Sequence, residues 1–188
     1  MKKFLLTFAV AAVLSSAACA QQKTDMESSK TLVAYFSATG TTAAVAQTIA
    51  QVSGGELYAI EPERAYTPAD LNWNDRNSRS SVEMNDRSAR PALKAVKENM
   101  AEYDIVFIGY PVWWDEAPRI INTFIENHDL SGKKVIPFAT SGGSGVGNSV
   151  SVLKKTYPDL DWKEGRLLNG SSKSAIQKWV GSLKAGNE

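Results

Sequence analysis

One cysteine and one histidine are all that this 188-residue chain holds of the residues most used as soft metal ligands, thiol nucleophiles and general bases. Cys19 lies within the first twenty residues, so disulfides, cysteine metal sites and thiol chemistry are excluded for everything after it. His128 falls at the end of a helical stretch and reads as a cap or surface residue. Charge of one sign is also missing: 21 basic against 20 acidic side chains leave a net +1, with no nucleic-acid footprint and no acidic tail. No internal repeat is visible, and the length suits one domain with a sizeable core.

What the chain does have begins with an N-terminal leader. Lys2-Lys3 is basic, Phe4 to Leu14 is apolar, and Ser15 to Ala20 are small, the tripartite pattern of a secretory signal peptide over residues 1–20. The run is too short for a stable membrane span. Cleavage after Ala18-Cys19-Ala20 frees a chain beginning at Gln21. Alternatively, Ala17-Ala18-Cys19 resembles the end of a bacterial lipoprotein signal, with Cys19 as a lipid anchor, although Ser16 stands where that pattern carries an aliphatic residue. Without Lys2 and Lys3 the side-chain charge is about −1. Residues 21–29 are polar and read as a tether, and 30–188 as the folded domain.

Within that domain strand-like and helix-like stretches alternate. Strands are expected at 31–36, 56–60, 104–110, 133–140 and, more weakly, 161–168; helices at 43–52, 89–100, 116–127, 146–157 and 172–183. The continuous apolar runs at 104–110 and 133–140 suit strands buried on both faces. Five strands alternating with five helices predict an α/β fold, a parallel sheet with helices on both faces and ligands at the strand C-terminal ends. Arg64 to Ser88 breaks the alternation; it is long and polar with Trp73 at its heart, and reads as an ordered flap or a solvated insertion.

Three loops then emerge on one sheet edge. In the first, Ser37-Ala38-Thr39-Gly40-Thr41-Thr42 joins a strand to a helix and crowds four hydroxyls around one glycine, without a lysine or arginine. Unpaired amides at a helix start attract anions, so the loop suits a phosphate monoester held by neutral donors. An ordinary Thr-capped helix is the plainer account. A Walker loop is excluded because no lysine follows Gly40 in time, and a dinucleotide fingerprint fails because Gly143-Ser144-Gly145-Val146-Gly147-Asn148 ends on Asn148. In the second loop, Pro111-Val112-Trp113-Trp114, two adjacent tryptophans at a strand end cannot both enter the core, so at least one is exposed or stacked on something flat. The third, Ser141-Gly142-Gly143-Ser144, lets backbone groups approach a ring edge. Together they describe a pocket for a mononucleotide with a planar, polar-edged ring.

On Tyr-Phe-Ser-Ala-Thr-Gly-Thr-Thr (35–42), Gly-Tyr-Pro-Val-Trp-Trp (109–114), Thr-Ser-Gly-Gly-Ser-Gly (140–145) and the insertion Asp70-Leu71-Asn72-Trp73-Asn74-Asp75, the chain from about Lys30 onward resembles the flavodoxin-like family, in particular its short-chain bacterial branch. The resemblance implies a five-stranded doubly wound sheet of order 2-1-3-4-5 with FMN at the β1/β3 switch point, as in flavodoxin itself. It implies that Ser37, Thr39, Thr41 and Thr42, with the backbone of Ala38 and Gly40, hold the FMN phosphate. Pro111, Val112, Trp113 and Trp114 would line the isoalloxazine, and Ser141, Gly142, Gly143 and Ser144 its pyrimidine edge. The expected function is an FMN-dependent oxidoreductase of the cell envelope, similar to NAD(P)H:quinone reductases of this fold. No catalytic residue from the protein is required, because the chemistry lives on the flavin. The alternatives are a non-catalytic one-electron carrier and a flavodoxin-fold binding protein without redox activity. Carrier flavodoxins are strongly acidic around the flavin, which this near-neutral chain is not. Expected partners are a small-molecule or protein redox partner, with quinone and a homodimer both open.

Overall fold

The computed structural model describes residues 29–185; the leader, Cys19 and most of the tether read from the sequence lie outside the described residues. In chain order the elements are β1 (Thr31–Tyr35), α1 (Thr41–Ser53), β2 (Glu56–Ala59), α2 (Arg79–Asn85), β3 (Ile105–Pro111), α3 (Arg119–Glu126), β4 (Lys134–Thr140), α4 (Gly147–Thr156), β5 (Asp161–Trp162), β6 (Arg166–Leu167) and α5 (Lys173–Ala185). All strand pairs are parallel, in the order β2-β1-β3-β4-β5, with β6 also on β4. This is the 2-1-3-4-5 arrangement expected of the sheet.

Alternation along the central strands divides the core in two. Leu32, Ala34, Val106, Ile108, Tyr110, Val135 and Ala139 face a layer containing Ile120, Ile121, Phe124 and Leu153 of α3 and α4. Val33, Phe107, Ile136 and Phe138 face the other layer, where Ile49 of α1 meets Ile176, Trp179 and Val180 of α5. Burial on both faces is why these strands read as unbroken apolar runs.

The fifth strand is a correction to the sequence reading. It comes as two short pieces, β5 and β6, because of Pro137 on their neighbour. Val135 accepts from the Lys163 amide (2.9 Å) and Ala139 from the Leu168 amide (2.9 Å), so alternate residues of β4 turn their backbone groups toward this strand. Pro137 is the next such residue and has no N–H to give. In the gap Gly165 lies so close that a Cβ there would come within 2.6 Å of Val150 Cγ2 and 3.0 Å of Pro137 Cγ.

A second correction concerns 89–100, which is not a helix. Pro62 bridges Leu93, with Glu63 N–H donating to Ala92 O (2.8 Å) and Lys94 N–H to Glu61 O (2.9 Å), so the chain runs extended beside the end of β2. Five α-helices are described, as expected in number, but one of them is α2, inside the 64–88 insertion. Ser78 caps it by accepting from the Ser81 amide (3.3 Å). Arg119, buried at the start of α3, donates to Met84 O (2.7 Å), Asp86 O (3.3 Å) and the Glu116 carboxylate (2.7 Å), which ties the insertion to the sheet.

His128 is a helix-end residue as read, but it is buried rather than at the surface. Lys97 N–H donates to its Nε2 (2.9 Å), so Nδ1 carries the proton and donates to Phe124 O (2.6 Å). Burial, opposed in part by the Phe124 carbonyl, pushes its pKa below the ordinary 6.5. The unfolded chain therefore takes up the proton first. The contact contributes its full stability above about pH 6.5 and loses it as pH falls toward the folded-state value. Urea midpoints measured across that range should fall more steeply with acidification in the wild type than in His128→Gln.

Candidate functional site

At the C-terminal edge of β1 the chain must turn sharply into α1. Phe36 N–H still reaches across to Gly109 O (2.9 Å), and then Gly40 adopts φ 90°, a conformation costly for a residue with a Cβ. Ser37 Oγ accepts from the Gly40 amide (3.1 Å) and closes the loop. The helical ladder begins at Ala44 N–H to Gly40 O (3.1 Å), so the amides of Thr41, Thr42 and Ala43 have no acceptor within the helix. They stand at the positive end of the helix dipole. Thr39, Gly40 and Thr41 are exposed, and a Cβ on Gly40 would meet nothing within 4 Å, so the loop is open to an approaching anion. Thr42 differs from its neighbours: it is buried, its hydroxyl 2.9 Å from that of Thr140. Its side chain braces the first loop against the end of β4, leaving its amide for a ligand.

The two tryptophans divide their roles. Trp113 packs edge-on against Phe36 (5.5 Å between centroids, 87°) and Tyr66 (5.4 Å, 81°), forming the floor of the site. Trp114 is 48% exposed. Residues 113–116 form a tight turn in which Trp113 and Glu116 exchange both backbone hydrogen bonds, at 3.0 and 2.9 Å. Its two central residues, Trp114 (φ 46°) and Asp115 (φ 63°), are both left-handed, as in turns usually built from Asn and Gly. A bulky residue in that conformation is strained, and such strain concentrates at functional sites. Asn148 Nδ2 donates to Asp115 O (3.0 Å) and holds the turn from α4.

The third loop is fixed by a residue that the sequence reading missed. Asn169 accepts from the Ser141 amide through Oδ1 (2.7 Å) and donates through Nδ2 to Ser141 O. Ser141 Oγ accepts from Gly143 N–H (3.1 Å), while Cβ atoms on Gly142 or Gly143 would meet nothing within 4 Å. Val112 N–H donates to Thr140 O (2.8 Å), which sets this loop beside the second.

A cleft of about 420 Å³ opens between the first two loops, lined by Ala38, Thr39, Pro111, Val112, Trp113 and Trp114. Leu71, Trp73 and Ser80 of the insertion close its far side, Trp73 with 72% of its surface exposed. Ser141 to Ser144 are not among its walls. The insertion is ordered down to the floor: Tyr66 OH donates to Glu83, which pairs with Arg79 (2.6 Å), and the Arg79 guanidinium lies 4.0 Å from the Tyr66 ring centroid. Burial, with the Glu83 carboxylate, raises the Tyr66 pKa far above its ordinary range, so it stays a neutral donor. Leu71 is legible only as part of the 70–75 insertion and Ser80 not at all, because only tertiary folding brings these positions to the cleft.

Fold and site together define a doubly wound α/β protein whose β1/β3 switch point presents open helix-start amides beside an aromatic cleft. The flavodoxin family profile matches residues 30–183, and the chain belongs to that family. Among solved structures, a protein of Bacteroides eggerthii DSM 20697 provisionally described as a flavoprotein is 66% identical, with a TM-score of 0.80 over 82% of this chain and 97% of its own. A second, from Bacteroides uniformis ATCC 8492 and similarly described, is 54% identical, with a TM-score of 0.80 over 81% and 98%. A Lactobacillus acidophilus NCFM flavoprotein crystallised in complex with FMN is 22% identical, with a TM-score of 0.61 over 81% and 99%, a likeness of fold. No protein of curated function matches the chain.

Proposed function

We propose that this chain is an FMN-binding oxidoreductase of the cell envelope that reduces a quinone-type acceptor. The observation that carries the flavin reading is the junction of the open α1 amides with a tryptophan-walled cleft at one strand edge. The residues fit the group. The amides of Thr41, Thr42 and Ala43 and the hydroxyls of Thr39 and Thr41 match a phosphate monoester, and the bare approach at Gly40 admits it. Pro111, Val112 and Trp114 offer walls to a flat ring; the third loop lies outside this cleft, held beside the second loop through Thr140, with its glycines open to approach.

When bound, FMN supplies the redox chemistry. The protein's own contribution is to hold the phosphate, orient the ring and keep water from its covered face. Export is supported by the leader pattern of residues 1–20, and quinone reduction by the resemblance to the quinone-reductase branch.

The chain from Gln21 onward, purified without added flavin, is expected to show flavin absorption bands directly or in stoichiometric proportion after FMN addition. A colourless protein that refuses FMN overturns the reading. Turnover of a soluble quinone with an artificial donor separates an oxidoreductase from a simple carrier. Thr39→Ala should weaken FMN binding by about 2 kcal/mol, the size of one hydrogen bond to a charged oxygen, as read by flavin fluorescence titration.

A further inference from the structure

Sharing Trp73 and Trp114 with the proposed flavin cleft is a second hollow of about 500 Å³, lined by Trp73, Asn74, Arg76, Ser81, Asn85 and Trp114. The two chambers differ in chemistry. Beyond the two shared indoles, the first is walled mainly by Ala38, Leu71, Pro111, Val112 and Trp113, with the Thr39 and Ser80 hydroxyls, and the second by two amides, a hydroxyl and a guanidinium, with no carboxylate among its lining residues.

Arg76 is set apart from the arginines around it. Arg64 faces Asp70 (3.8 Å), Arg79 faces Glu83 (2.6 Å), Arg87 and Arg119 face Glu116 (3.6 and 2.7 Å), and Arg90 faces Glu126 (2.7 Å). Arg76 forms no ion pair among the described residues, although Asp70 and Asp75 are at hand in sequence. Those are committed elsewhere: Asp75 Oδ1 accepts from the Asn77 amide (2.9 Å), and Asp70 accepts from Thr67 and faces Arg64. The Ser81 hydroxyl is also engaged, donating to Asp75 O (2.7 Å), which braces the loop that carries Arg76. The side chains of Asn74 and Asn85 make no hydrogen bond among the described residues. An unpaired guanidinium that lines one hollow with two amides bearing free donors and two indoles has the donor set that recognises a carboxylate or sulfonate.

We propose that this hollow is the acceptor subsite, and that it takes a planar aromatic compound bearing an anionic substituent, its ring along Trp73 and Trp114 and its charge at Arg76. The proposal rests on the flavin reading for its meaning as an acceptor site, but not for the binding itself. Uncharged quinones would use the indole wall alone and bind more weakly.

The test is isothermal titration of FMN-loaded and FMN-free protein with anthraquinone-2-sulfonate and with neutral 2-(hydroxymethyl)anthraquinone. Arg76→Gln is expected to lower affinity for the sulfonate about tenfold and to change that for the neutral compound less than twofold, with Arg76→Lys recovering part of the loss. Arg76 is exposed, so folding should be unaffected. Equal sulfonate affinity in wild type and Arg76→Gln overturns the proposal, as does failure of the sulfonate to bind FMN-loaded protein that has demonstrably taken up flavin. Mutual exclusion of FMN and sulfonate places the probe in the first cleft and also overturns it. If the protein refuses FMN yet binds the sulfonate through Arg76, the flavin reading fails while the anion subsite stands.

Discussion

Trp114→Gly is expected to make the protein a poorer flavin binder without making it less stable. Trp114 holds φ 46° at the centre of a turn whose backbone bonds, Trp113 to Glu116 and back, do not depend on its side chain. Left-handed backbone costs an L-residue with a Cβ about 1–2 kcal/mol, and glycine removes that cost. Against this stand the greater freedom of glycine in the unfolded chain, about 0.5–1 kcal/mol, and the lost contacts of a half-exposed ring. The unfolding free energy of the FMN-free variant should therefore stay level or rise by up to about 1 kcal/mol. FMN affinity should fall about tenfold, as expected for the loss of one aromatic wall. Urea unfolding and flavin titration read the two effects separately. The neighbouring variant Trp113→Ala is the contrast, since that ring is locked between Phe36 and Tyr66 and its loss should lower stability and affinity together. If FMN affinity is unchanged in Trp114→Gly, that indole is not a wall of the flavin site.

The largest loss of stability is expected at Gly109. This residue sits in β3 beside Phe138, whose ring end fills the space a side chain would take: an added Cβ would come within 2.1 Å of Cζ, 2.5 Å of Cε2 and 2.7 Å of Cε1. Phe138 has no exposed surface and is packed among Phe107, Ile136 and Trp179, so its ring has nowhere to retreat. Gly109→Ala should cost about 3 kcal/mol, the upper end for overpacking a close-packed core. Because β3 runs directly into Pro111–Trp114, the displaced strand should weaken FMN binding too. Phe138→Leu, mildly destabilising alone, should recover about 1 kcal/mol or more in the Gly109→Ala background, a coupling expected only of residues in contact. Additive effects in that double-mutant cycle would show that the ring does not press on the glycine.

The sheet could be read from the sequence because β1, β3 and β4 are covered on both faces, and such strands announce themselves as apolar runs. The stretch 89–100 misled for a physical reason. Leu93, Val96 and Met100 have helical spacing, yet Val96 is exposed, and the segment's backbone groups are taken by Glu61, Tyr58 and His128. Tertiary pairing overrode local pattern. The fifth strand was broken by a proline on a different strand, which no reading of 161–168 alone can reveal. At the site, three loops were legible from composition, but the division of labour between Trp113 and Trp114 was not. It depends on Phe36 and Tyr66, which come from other segments, and Asn169 carries no signal of its own until β6 brings it to Ser141.

The interrupted fifth strand also bears on how this protein meets its own kind. A free sheet margin is a row of vacant donors and acceptors on which another chain can align and grow. Here that margin consists of two dipeptides separated by Lys163, Glu164 and Gly165, and the opposite margin is the four-residue β2, headed by Glu56. Neither offers a long continuous template, and short or interrupted margins of this kind discourage a neighbouring copy from adding strands to the sheet.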